Sequence, residues 1–153
     1  DVALNGYASH PGVVAVGACS GRRKRPSYSS RGKALWWVYR SNDPLDPICA
    51  GETHLTTTPI GSYLLGETFY TRSFGFTSAA CAAVAGICAL ILSANPRLTA
   101  HEVKLVLARS CAKIDVENGS YDVSDRSPYY GFGLPVPQRA VEIALQKSQA
   151  PSV

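Results

Sequence analysis

The chain has 153 residues, 46% hydrophobic and 17% charged. That is enough for one domain with a sizeable core, and it excludes a disordered or membrane-embedded chain. The net charge of +4 is mild. Much of it sits in Arg22-Arg23-Lys24-Arg25, which reads as a solvated loop, because a nucleic-acid surface asks for more basic residues interleaved with aromatics. Five cysteines without Cys-x-x-Cys spacing give no support for zinc and argue against a disulfide framework, with a single bridge left open. The chain begins at Asp1 and contains no methionine, so it reads as a fragment whose natural start requires upstream sequence.

In chain order, Asp1 to Pro11 is loop-like, and Gly12 to Ala18 is a β-branched run suited to a buried strand. His10, immediately before a proline at a strand entrance, reads as loop rather than as a base. Leu35 to Tyr39 is a strand candidate whose adjacent Trp36 and Trp37 point to opposite faces. Ser41 to Arg72 is the least periodic part and reads as a polar surface excursion. Its Asp43, Asp46, Glu52 and His54 follow no metal-ligand spacing.

Ala79 to Leu92 is apolar without a break and too short to cross a bilayer, which predicts a helix buried on all sides. Small residues (Ala79, Ala80, Ala82, Ala83, Ala85, Gly86) would let neighbouring backbone approach closely. Thr77 and Ser78 stand at its entrance, where two readings compete. The hydroxyls cap the helix, or Ser78 is a nucleophile facing the positive end of the helix dipole.

Beyond the turn Ser93 to Leu98, Thr99-Ala100-His101-Glu102 is a capping box, and Val103, Val106 and Leu107 give the next helix its apolar stripe. His101 falls in the first turn, on the exposed side. Lys113 to Pro128 is polar and turn-rich. After Tyr129-Tyr130-Gly131-Phe132-Gly133 comes a last helix, Pro137 to Gln146, with Pro137 in its first turn and Ala140, Val141, Ala144 and Leu145 buried. Lys147 to Val153 reads as a frayed tail.

Several of these segments share a resemblance. Phe74-Gly75-Phe76-Thr77-Ser78-Ala79-Ala80-Cys81, followed by Val84-Ala85-Gly86, resembles the Gly-Thr-Ser-x-Ala-x-Pro-x-Val-Ala-Gly signature of subtilisin-like serine proteases (subtilases), and Ser78 falls on the nucleophile. His10 to Ala18 resembles the family strand Tyr-Pro-x-Val-Ile-Ala-Val-Gly-Ala. Tyr28-Ser29-Ser30-Arg31-Gly32 resembles Tyr-Ser-Ser-x-Gly. The turn and helix from Ser93 to Val103 and the closing Tyr130 to Val141 also follow the family order.

The resemblance implies an α/β fold with a mostly parallel sheet and helices on both faces, of which this chain is the C-terminal half. Residues 1–146 would be the C-terminal portion of the catalytic domain and 147–153 a flexible tail. It further implies serine-type endopeptidase activity through an acyl-enzyme on Ser78, with a polypeptide as substrate. The Asp, the His and the oxyanion Asn would come from the N-terminal half of the same domain. No Asp-x-Gly or His-Gly-Thr motif precedes Ser78, and His10, His54 and His101 match no part of the triad, so the chain alone is expected to be inactive. A non-catalytic binding or scaffold module is the alternative. No nucleic-acid or membrane partner is expected, and no cofactor is assigned: the resemblance admits a structural calcium, but no residues here supply its ligands.

Two residues depart from the signature. Ala82 replaces proline. Phe76 stands where the family has glycine, immediately before Thr77-Ser78. If that glycine takes a positive φ, a phenylalanine costs about 1–2 kcal/mol there and disturbs Ser78, so Phe76→Gly should raise turnover in an active parent.

Overall fold

The computed structural model describes residues 8, 10, 12–32, 49–52, 55–57 and 71–149. The strand candidate Leu35 to Tyr39, together with Asp43, Asp46 and His54, lies outside them. β1 (Val16–Cys19) pairs in parallel with β2 (Cys49–Glu52), Val16 opposite Cys49 and Cys19 opposite Glu52. β1 is shorter than the expected Gly12–Ala18 strand, and Val13 ahead of it is exposed. β3 (Leu55–Thr57) pairs antiparallel with β4 (Thr71–Phe74), with a register shift between Leu55 and Thr57.

The stretch read as one surface loop therefore contains strands, one of them in the core. Cys49 and Ala50 of β2 are fully buried, whereas Glu52 is exposed. β2 is Cys-Ala-Gly-Glu, with no β-branched or aromatic residue. Such a strand is held by its parallel ladder and by packing rather than by intrinsic preference.

α1 (Phe76–Ala94) packs on β1, β2 and α3 (Pro137–Gln149), and α2 (Ala100–Ser110) packs on α3. Cys49, Val84, Ile91, Val103, Val106, Leu107, Ala140 and Ala144 make the larger core cluster. Cys19, Ala50, Ile114 and Tyr130 make a second one on the other side of β2.

α1 is not buried all round. Ala79, Ala80, Val84 and Ile91 face the core, while Cys81, Ala82, Ala85 and Gly86 are exposed and Leu90 is 50% exposed. A sequence that is apolar on every side carries no stripe from which to read the buried face. At 19 residues α1 is long and apolar enough to cross a membrane by length and composition, but its core-facing residues pack against the sheet and the other helices. Asn95 closes its far end: its N–H donates to the Ile91 carbonyl at 3.0 Å and its Nδ2 to the Ala144 carbonyl of α3 at 3.3 Å.

α2 opens on the expected capping box. Glu102 N–H donates to Thr99 Oγ1 at 3.3 Å, and Thr99 N–H donates to Glu102 Oε2 at 2.9 Å. β5 (Cys111–Ala112) and β6 (Leu134–Pro135) form a short antiparallel pair that delivers the chain to Pro137 at the first position of α3. α3 runs past Gln146 to Gln149, and Lys147 pairs with Glu102 of α2 at 3.2 Å, which ties down the first part of the expected tail. Its buried residues are Ala140 and Ala144, whereas Leu145 is 45% exposed.

The basic run is only partly solvated. Arg22 and Arg23 are exposed. Lys24 is exposed as well, though paired with Asp115, and only Arg25 is half-buried: it lies over the Tyr129 ring at 5.2 Å and donates to the Ser29 carbonyl at 2.6 Å.

Candidate active site at the start of the long helix

Gly75 is the N-cap of α1, and it provides no side-chain hydrogen bond. Thr77 and Ser78 lie inside the helix, in its first turn, and Ser78 is exposed. The capping reading of these two hydroxyls is thereby set aside. The first bond of the helix ladder runs from Ala79 N–H to the Gly75 carbonyl at 3.4 Å, so the N–H of Ser78 precedes it. Ser78 thus combines an exposed hydroxyl with a backbone N–H at the positive end of a long helix dipole, where a developing oxyanion is stabilised.

The position of this turn is set by the sheet. A Cβ built on Gly51 of β2 would lie 2.5 Å from the carbonyl oxygen of Ala80 and 3.0 Å from its Cα. No residue but glycine allows that approach without moving backbone, so Gly51 fixes how closely the first turns of α1 seat on β2. The small residues that serve close packing are Ala79 and Ala80. A Cβ at Gly86 would meet nothing within 4 Å.

Phe76 takes φ +63°, the left-handed region. The residue is 65% exposed, and its ring meets Tyr28 edge-on, with ring centroids 4.9 Å apart and planes at 61°. Left-handed backbone costs a non-glycine residue about 1–2 kcal/mol. An aromatic pair in this geometry contributes about 0.5–1.5 kcal/mol beyond its buried area. The two are of the same size, so the Tyr28 contact offsets much of the strain that Phe76 carries.

Tyr28 is held in turn by its neighbour. Ser29 is buried, and its Oγ accepts the N–H of Ala18 in β1 at 2.9 Å. The Tyr-Ser-Ser segment is therefore fastened to the same sheet that seats α1. Nothing local in the sequence linked Tyr28 to Phe76 or Gly51 to Ala80, since both contacts are made across the fold.

Neither described histidine hydrogen-bonds to Ser78. His10 accepts the Gly12 N–H on Nδ1 at 3.0 Å, as a turn residue does, and His101 is exposed in the first turn of α2. All five cysteines are unbridged. Burial is the main reason that the thiols of Cys49 and Cys88 are pushed up, Cys19 to about 11 and Cys111 to about 12, so these four stay protonated at neutral pH and serve as small apolar side chains. Among the described residues, no group of three His, Cys, Asp or Glu side chains is placed to share a metal ion.

The sequence profile of the Subtilase family (peptidase S8) matches residues 4–133. A calcium-dependent protease of Trichormus variabilis is 40% identical over 96% of this chain and 23% of its own length. Subtilisin E of Bacillus subtilis is 32% identical over 84% of this chain and 27% of its own. The chain thus spans about a quarter of the length of these relatives.

Among solved structures, the serine protease of Aeromonas sobria superposes with a TM-score of 0.73 at 22% identity, covering 98% of this chain and 32% of that one. The CspB protease of Clostridium perfringens gives 0.67 at 21% identity, over 95% and 29%. These likenesses show the α/β subtilase fold in its partial extent, and with the profile match over most of its residues the chain belongs to the subtilase family of serine proteases.

Proposed function

We propose that this chain is the serine-bearing, C-terminal portion of a subtilisin-like endopeptidase domain, residues 1–146, with Ser78 as the nucleophile. The observation that carries the reading is the exposed Ser78 in the first turn of α1, ahead of the first ladder bond, with no side chain capping that turn. In the proposed reaction the Ser78 hydroxyl attacks a peptide carbonyl, and the oxyanion that forms takes the Ser78 N–H as one donor. The serine proton passes to a histidine and then to the departing amine, and water releases the acyl group.

The histidine, its aspartate and the second oxyanion donor would come from the N-terminal half of the same domain, and without that half the chain would be inactive. The exposed apolar side of α1, from Cys81 to Leu92, supports a partner segment of this kind. No cofactor enters this reading. The substrate is a polypeptide.

The test is labelling of the complete chain with a fluorophosphonate. The expected result is modification of Ser78, abolished by Ser78→Ala. Silence from a folded, complete chain would favour the second reading, a non-catalytic subtilase module, which the left-handed Phe76 beside the serine motivates.

A further inference from the structure

The region around Ser78 carries a feature that the nucleophile itself does not need. Phe76, in the same helical turn, is 65% exposed. Its position is not that of a loose surface ring, because Tyr28 meets it edge-on at 4.9 Å and Tyr28 belongs to a segment pinned to β1 through Ser29. Phe74, at the end of β4, and Tyr28 are each 38% exposed. Three partly exposed aromatic residues therefore lie at the start of α1: Phe74 and Phe76 on either side of Gly75 in sequence, and Tyr28 against Phe76. An ordered, solvent-facing aromatic surface gains free energy when an apolar side chain covers it, and it loses little entropy in doing so because its rings are already held.

We infer that Phe76, backed by Tyr28, is a specificity-determining ledge that takes an apolar or aromatic side chain of the peptide flanking the bond cut at Ser78. This rests on the peptidase reading above. A peptide brought to Ser78 passes Phe76 within one helical turn, so a large apolar neighbour of the scissile bond covers the ring while an alanine leaves it wet. Phe76 acts on selection and Tyr28 acts through it, as the residue that positions the ring. The contribution is to binding of substrate and transition state alike, so it appears in kcat/KM ratios between substrates rather than in the chemistry of the serine.

The experiment uses the complete chain and two matched peptide series, with phenylalanine or alanine on either side of the cut bond. The wild type should favour phenylalanine on one side by roughly tenfold in kcat/KM, the size expected of a modest apolar contact. Phe76→Gly should bring that ratio near one, chiefly by raising KM for the phenylalanine peptide. Phe76→Leu should keep part of the preference. Tyr28→Ala should reduce it without a change at the ring that touches substrate, whereas Tyr28→Phe, which keeps the edge contact, should leave it intact.

An unchanged ratio in Phe76→Gly, with Ser78 still labelled by the fluorophosphonate, overturns the ledge and leaves the peptidase reading standing. Silence of the folded wild type toward the probe instead overturns the peptidase reading, and the ledge falls with it. If Phe76→Gly fails to fold, the Phe76→Leu and Tyr28→Ala ratios decide alone: both equal to wild type overturns the inference.

Discussion

The two helices that follow one another in this chain begin in opposite ways. α2 starts from Thr99 in extended backbone, with the Thr99 hydroxyl and the Glu102 carboxylate exchanging hydrogen bonds with each other's N–H, and with a negative charge in the first turn. α1 starts from a glycine without a side chain, passes through a left-handed phenylalanine, and has no acidic residue in its first turn. One terminus is closed by its own side chains. The other has no side chain that caps it. The lesson is that α2 is built for local stability, whereas the start of α1 relies on the tertiary contacts of Gly51 and Tyr28, as the proposed role of that turn asks.

Breaking the tertiary support should have the largest effect. Gly51→Ala forces backbone of Ala80 away from β2, and we expect a loss of about 2–4 kcal/mol in denaturant unfolding, together with loss of Ser78 labelling in the complete chain. A variant of wild-type stability with normal labelling would show that the close seat of α1 on β2 does not set the site. Breaking the local closure should do less. Thr99→Ala removes the cap of α2 and should cost about 1 kcal/mol while leaving the labelling of Ser78 unchanged, because the two termini are supported separately.

The smallest effect is one of pH. The hydrogen bonds from Thr99 N–H and Oγ1, and then Lys147, lower the Glu102 carboxyl from an ordinary 4.5 to about 2. A carboxylate lowered in the folded state stabilises it above its unfolded pKa, and that stabilisation is lost as pH falls from about 4.5 toward about 2. Glu102→Gln should therefore flatten the acid limb of thermal stability across this window by lowering the midpoint above pH 6, where the carboxylate is charged, while wild type and variant converge toward pH 2. An identical acid limb in wild type and variant would separate the capping carboxylate from the acid sensitivity of the fold.

The same contrast explains what could be read from the chain. The start of α2 is local grammar, a threonine and a glutamate three residues apart, and Pro137 marks α3 equally well. The subtilase signature drew attention to Ser78, which the structure places exposed in the first turn of α1, and the phenylalanine in the glycine position pointed to the positive φ that the structure shows. Three things were out of reach. β2 has the composition of a loop and becomes a strand only through its parallel neighbour. The exposed side of α1 is written in the same residues as its buried side. The pairing of Tyr28 with Phe76 joins segments far apart in sequence, and no periodicity reports such a contact.

The closure of α1 at Asn95 has a mechanical consequence. Ser78, the proposed nucleophile, rides on a rod of 19 residues clamped at its far end to α3, and at about 1.5 Å per residue that rod is about 28 Å long. A tilt of about 2° at the clamp swings the opposite tip by about 1 Å, a displacement that can alter a rate about a hundredfold. In such a lever, the residues that aim the hydroxyl are not confined to its neighbourhood, and Asn95 and Ala144 belong to the sighting of Ser78 as much as its own turn does.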